Sequence, residues 1–434
     1  MRFSSVFRLV FLLCFTNCLL PSTATGQEVD PILLDDVATR KWLVLPLTNS
    51  PTYHSSSSES GLVAGSPYRI TRQTLHGGKQ EGVELLTIDN GAMKITLVPT
   101  RGMSILEVVA GDVRLGWNSP VKDVVHPQFI NLESRGGLGW LEGFNEWMVR
   151  CGLEFAGHPG MDKFTTNTGD TAEMMLTLHG KIGNIPASNV EIVVEEKPPH
   201  RLKIRGLVAE RMFYGPKLLL KTELILRPNS TTFQISDSVT NEGAYPQEFQ
   251  LIYHGNYGAP LLGGGSKIQV AAKQIAPMNA HAAKSIDQWS TYAPPTKGFI
   301  EEVYLFEPLA DENGHSLALL TNPDGTAATS VAWSTKELPY LTVWKNTADE
   351  RDGYVTGIEP ATGYPYNRSV ERRSGRLQKL APQETRTFTL QFGIHTDAES
   401  IAAQKKTITR LQGSTRMLKL TEPLEDLSEG DSDE

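Results

Sequence analysis

Cysteine is scarce in this chain, with three residues among 434. Cys14 and Cys18 fall inside an apolar N-terminal segment, so Cys151 alone is left to the body of the protein. One thiol forms no internal disulfide and no thiolate metal centre, and stability must rest on core burial. Between Arg150 and Gly152 it reads as a small buried hydrophobe, with a nucleophile as the rarer alternative. Basic excess is lacking as well. Lys and Arg total 41 against 49 Asp and Glu, a net charge of −8 with no clustered cations, which sets nucleic acid aside as a partner. No metal or cofactor is expected: histidines do not recur at i,i+4 or as His-x-His. The run Gly263-Gly264-Gly265-Ser266 lacks the Lys and the following helix of a phosphate loop. There is no Gly-x-Ser-x-Gly elbow for a serine nucleophile, and no internal repeat of fixed period.

Long apolar runs are also few. The most apolar stretch, Leu9 to Leu20, is interrupted by Thr16 and Asn17 and is short for a bilayer span. With Arg2 and Arg8 before it and Ala24-Thr25-Gly26 after it, residues 1–26 read as a signal peptide. An uncleaved anchor is the alternative. The expectation is an exported protein, periplasmic or secreted, with no stable membrane insertion after cleavage. Residues 27–65, with Pro31 and the run Ser55 to Ser58, read as a linker or loosely packed arm. The last residues, 421–434, form an acidic tail of disordered composition.

What is abundant is β-type patterning. Between 66 and 420, short runs of β-branched and aromatic residues follow one another across Gly- and Pro-marked turns; Val83–Ile88, Leu218–Leu226, Phe249–Tyr253 and Thr385–Ile394 are examples. That density, with few long helical periods, predicts an all-β sandwich or barrel with few short helices. Residues 131–160, rich in Gly, Trp and Glu, break the pattern and predict a long functional loop with a short helix. A helix is expected within 397–416.

Chemistry-bearing residues gather at the turn signals. His54, His200 and His315 read as surface residues and His395 as structural. His126, His158, His179 and His254 each sit in a Gly- or Pro-marked context, where each is either a satisfied hydrogen bonder or part of a shared site. The stretch Tyr253-His254-Gly255-Asn256-Tyr257 sets a group that titrates near neutrality among aromatic and amide side chains, at the expected end of a strand. Such a setting suits a small polar ligand with an apolar side. Glu359 is held extended by Pro360, with Gly357 and Gly363 beside it; it is either a positioned carboxylate or the partner of Arg368. In the 131–160 loop, Glu142, Asn145, Glu146 and Arg150 lie close to Trp140 and Trp147, the composition that holds a sugar's hydroxyl rim and apolar face. A loop that only caps the sheet is the competing reading. Arg101, at a strand–turn junction, binds ligand or pairs with an acid.

The ordered set His179, His254 and Glu359, within Leu178-His179-Gly180-Lys181, Tyr253-His254-Gly255-Asn256 and Gly357-Ile358-Glu359-Pro360, resembles the aldose 1-epimerase (galactose mutarotase-like) superfamily. With Pro99-Thr100-Arg101-Gly102-Met103, the segments are most similar to a poorly characterised bacterial branch of it, over roughly residues 66–395. The resemblance implies a galactose mutarotase-like β-supersandwich and a small-molecule carbohydrate as ligand. It implies His179 as the sugar-binding histidine, His254 as general acid and Glu359 as general base. It also implies a late sugar-binding acid, for which Glu302 and Asp287 are the candidates. Expected function is anomer interconversion by ring opening. A lyase or hydrolase of modified glycosides, or a non-catalytic carbohydrate binder, are the alternatives.

Overall fold

Dense β patterning without helical period leaves the chain one way to bury its apolar positions, strand beside strand and sheet upon sheet. The computed structural model describes residues 39–44 and 56–425, and is all-β. Among these, one nine-stranded and one fourteen-stranded sheet form, with a separate two-stranded hairpin, Gly160–Thr165 and Thr171–Leu176. In the large sheet, Ser104–Ala110, Met148–Leu153, Gln247–Tyr257, Val355–Ala361, Tyr340–Asn346 and Glu302–Pro308 are consecutive neighbours. The nine-stranded sheet is centred on Lys217–Leu226, Thr232–Asn241 and Thr385–His395.

Apolar side chains of both sheets join in one core. Phe249, Leu251 and Tyr253 come from the large sheet, and Leu220, Ile235, Phe388 and Phe392 from the other. Each such side chain contributes about 1.5–3 kcal/mol on burial. A charged network lies within this core. Arg150 donates to both oxygens of Asp237, to Thr222 Oγ1 at 2.7 Å and to the Met103 carbonyl at 3.1 Å; Tyr253 Oη also donates to Asp237, at 2.9 Å. Burial of this pair is tolerable because nearly every donor and acceptor on it is matched.

Several sequence expectations change here. The Gln247–Tyr257 strand does not stop at Tyr253 but runs on through His254 and Asn256, and from Phe249 onward both its faces are buried. His254 is therefore mid-strand, and so is Glu359 within Val355–Ala361. Met148–Leu153, inside the stretch read as loop, is a strand whose six residues are all buried. Strands covered on both faces lose the polar alternation that betrays them, and Arg150 in the middle hides this one further. Short helical turns do occur at Ser134–Gly137 and Gly139–Gly143. In the segment read as an arm, Thr39–Val44 pairs with Ser188–Glu195, and Ser56–Val63 pairs with Ser66–Thr74. The helix expected within 397–416 spans Ala398–Gln412, with Asp397 as its N-cap accepting from the Ser400 amide. The segment read as a signal peptide, residues 27–38 and 45–55 of the arm, and residues 426–434 of the acidic tail lie outside the described residues. No described helix is long and apolar enough to cross a membrane.

Candidate functional site

Sheet register builds the centre of the site. Antiparallel pairing sets Ile252 against Ala361 and Gly255 against Ile358, which places His254 directly opposite Glu359. Val149 flanks His254 on one side and Thr342 flanks Glu359 on the other. Side chains alternate across a strand. Tyr253 and Ile358 point into the inter-sheet core, so His254 and Glu359 point to the opposite face, with Val149, Ile252 and Ala361. There His254 Nε2 comes within 3.3 Å of Glu359 Oε1. Gly357 is what lets the carboxyl lie back along its strand: a Cβ there would meet Glu359 Oε1 at 2.2 Å.

Loops wall this pair into a cleft of about 290 Å³. Trp140 and Phe144 come from the Gly139–Gly143 turn and its exit, and Trp344 from the strand beside Glu359. Ring centroids of Trp140, Phe144 and Trp344 lie 6.0, 5.5 and 5.7 Å from that of His254. His179 stacks edge-on to His254 at 5.1 Å and to Trp140 at 4.6 Å. It adopts φ +60°, and Gly180 follows at φ +72°, where a Cβ would strike the Phe155 carbonyl at 2.1 Å. Two successive left-handed residues turn the loop so that His179 faces the cleft. Its Nδ1 lies 3.0 Å from the Ala156 carbonyl. A carbonyl only accepts, so Nδ1 carries the proton and Nε2 is left as an acceptor.

Burial sets the charge states. It holds His254 down to about 4, and it takes His179 well below the usual imidazole range, with the neighbouring His254 adding to the effect. Burial raises the Glu359 carboxyl well above the ordinary value, with the Glu301 charge adding to it. Burial thus favours the neutral imidazole and the neutral carboxyl over their charged forms. Glu359 Oε1 has no hydrogen-bond partner, nor do Trp140 Nε1 and Thr342 Oγ1 of the cleft lining. Buried polar atoms left unpaired at one place mark a location where a ligand supplies the missing partners. The arrangement can hold a small polyol against aromatic rings and exchange protons with it.

Of the residues singled out from the sequence, His254, Glu359, His179, His158 and Trp140 line the cleft. The others do not. Arg101 is fully buried, donating to Glu146, Asn184 Oδ1 and the Val125 carbonyl. Arg150 belongs to the core network, and Asn145 donates to the Asp123 carbonyl at 2.7 Å. Glu142 accepts from Ser134 at 2.6 Å. Asn256 donates to the Glu146 and His254 carbonyls, and Tyr257 packs edge-on to Trp147 in the core. Glu302 sits on the core side with Tyr304 and Lys345, while Asp287 pairs with Lys419 at the surface. Arg368 is bound to Asp162 and Glu154, not to Glu359. The late acid that does line the cleft is Glu301, whose Oε2 accepts from Trp344 Nε1 at 2.8 Å. It stands one residue ahead of Glu302, just before the strand Glu302–Pro308 begins. Phe144, Thr342 and Trp344 were also passed over; the alternation Tyr340–Thr342–Trp344 is the signal that identifies the last two.

A family profile described as a domain of unknown function, DUF4432, matches residues 80–394. The chain belongs to the DUF4432 family. Among solved structures, a candidate aldose 1-epimerase from Klebsiella pneumoniae is 41% identical, with a TM-score of 0.82 over 89% of this chain and 100% of that one. A galactose mutarotase-like protein from Clostridium acetobutylicum shares the fold at 15% identity, with a TM-score of 0.50 over 79% of this chain and 99% of that one. A search of curated proteins finds no match. This DUF4432 chain thus lies within the aldose 1-epimerase, galactose mutarotase-like superfamily.

Proposed function

We propose that this DUF4432 protein binds a monosaccharide and interconverts its anomers by ring opening, with His254 and Glu359 exchanging the protons. The observation that carries the reading is the 3.3 Å approach of two oppositely perturbed proton-handling groups at the floor of an aromatic cleft. Pairs whose environments push their proton affinities apart are a hallmark of acid–base sites. A cleft of about 290 Å³ lies at the small end of ligand sites, roughly 300–1,000 Å³, and suits one sugar ring.

Ring opening breaks the C1–O5 bond, removes the proton from the O1 hydroxyl and delivers one to O5. Closure on the other face of the carbonyl reverses these transfers. The pair holds one exchangeable proton, either as carboxyl and imidazole or as carboxylate and imidazolium. Burial favours the first in the empty cleft. Sugar hydroxyls that donate to Glu359 favour the second, in which His254 is the acid and Glu359 the base. His179 Nε2 accepts from a further hydroxyl, and Trp140, Phe144 and Trp344 cover the apolar C–H face.

General acid and base each contribute about 10²–10⁴-fold. His254→Ala and Glu359→Gln are each expected to lower anomer exchange at least about 100-fold, measured by exchange NMR across a panel of aldoses, with substrate mass unchanged. Wild-type exchange in either variant, or no acceleration over buffer with any sugar, sinks the reading.

A further inference from the structure

Charge around the cleft is one-sided. Among the described residues, no Lys or Arg lines it. The arginines nearest in sequence are committed elsewhere, Arg101 to Glu146 and Arg150 to Asp237, and Lys181 is turned to Glu154 at 3.3 Å. Two acids line the cleft instead, Glu359 at the floor and Glu301 at the exposed rim. Glu301 is held through Oε2 by Trp344 Nε1 and makes no ion pair among the described residues, so Oε1 is open to a ligand.

Hydrogen-bonding capacity leans the same way. His179 presents an acceptor and Glu301 is acceptor only. Two fully buried groups of cleft residues, the donor Trp140 Nε1 and Thr342 Oγ1, which donates or accepts, are unpartnered, which points to a ligand in this space and not to a solvated acidic rim alone. A ligand that fits such a lining brings N–H donors and positive charge. An ammonium group donates to a carboxylate in a charge-assisted bond, and the adjoining indole face attracts the same cation. A phosphate or carboxylate meets Glu301 at the rim, with no Lys or Arg in the lining to receive it.

We propose that the cleft prefers an aldose bearing a free ammonium group, such as a 2-amino-2-deoxy sugar, over neutral aldoses, and rejects phosphorylated and uronic sugars, with Glu301 setting that order. The proposal rests on the sugar-binding reading above.

The test compares dissociation constants by calorimetry, at low salt and neutral pH, for glucosamine, glucose, N-acetylglucosamine, glucose 6-phosphate and glucuronate, with the galacto and manno counterparts. Within at least one configuration, the free amine is expected to bind about tenfold tighter than the parent hexose, a difference of about 1.4 kcal/mol. The N-acetyl and anionic forms bind more weakly than the parent. In Glu301→Gln the ratio of amine to parent falls to about one. Glu301→Lys reverses the order and admits the 6-phosphate. Glu301 is exposed, so both variants are expected to keep the wild-type near-ultraviolet circular dichroism. Amines binding no better than parent hexoses, or an amine preference that survives Glu301→Gln, overturns the proposal while leaving the sugar-binding reading in place. Absence of binding by every sugar removes both.

Discussion

Gly357 offers a way to move Glu359 without touching its chemistry. An alanine there would put Cβ 2.2 Å from Glu359 Oε1 and 3.2 Å from its carboxyl carbon, with the Trp344 Cβ at 3.3 Å on another side. Ordinary contact begins near 3.4 Å, so the carboxyl must move by more than an ångström. The backbone has no reason to fail: Gly357 is not among the positive-φ residues, and alanine is allowed in its strand conformation. Lower entropy of the unfolded chain offsets part of the local crowding, by about 0.4–1 kcal/mol. An ångström of misplacement at a proton-transfer site costs on the order of 100-fold in rate. Gly357→Ala should therefore lose about 100-fold in anomer exchange, with a melting temperature within a few degrees of wild type. Exchange NMR gives the rate and calorimetry the stability. In a Glu359→Gln background the same alanine should remove nothing further, because it acts through that carboxyl. Near-wild-type exchange in a folded Gly357→Ala protein would refute the assignment of Glu359, as would a loss that adds in full to that of Glu359→Gln.

Three further outcomes follow from the buried groups. His254 is held down to about 4 from 6.5, so between those values the unfolded chain takes up a proton that the fold refuses. Acidification across that window costs at most about 3 kcal/mol from this residue, and His254→Phe should show a flatter fall of melting temperature on the acid side. Glu359 has its folded value raised above 4.5, so its stabilising contribution is whole below 4.5 and is lost as pH rises through the folded value. Glu359→Gln stays uncharged and should be more stable than wild type in alkaline buffer and similar to it near pH 4; equal stability curves would contradict the burial argument. Arg150→Met leaves Asp237 buried with Tyr253 as its remaining side-chain donor, and should cost about 3–5 kcal/mol in urea unfolding, with much of it recovered by adding Asp237→Asn.

The all-β class was legible because turn chemistry and β-branched runs are local signals, and the helix at Ala398–Gln412 because Asp397 caps it visibly. His254 and Glu359 stood out because each lies among glycines with an aromatic or a proline beside it, and His179 because Gly180 follows it. The polar residues of the 131–160 stretch misled for a physical reason. Glu146 pairs with Arg101, Arg150 with Asp237, and Asn145 donates to the Asp123 carbonyl, a use of polar groups inside the fold that resembles ligand binding in composition and differs from it only in direction. Thr342 and Trp344 were hidden differently: their place depends on which face of a strand they occupy, and parity is fixed by pairing with strands distant in sequence.

The opposition of His254 and Glu359 across two hydrogen-bonded strands makes the sheet a ruler for the proposed chemistry. The distance between the two groups is fixed by a rung of the backbone ladder, and a slip of one residue would turn one of them to the core. Loops such as 139–144 and 177–181, and the rim residue Glu301, are under no such constraint. They are free to be rewritten for a different sugar while the proton-handling pair stays where the ladder puts it. On this architecture, ligand preference can drift between relatives that share one reaction, and a swap of rim loops between them should carry specificity without carrying rate.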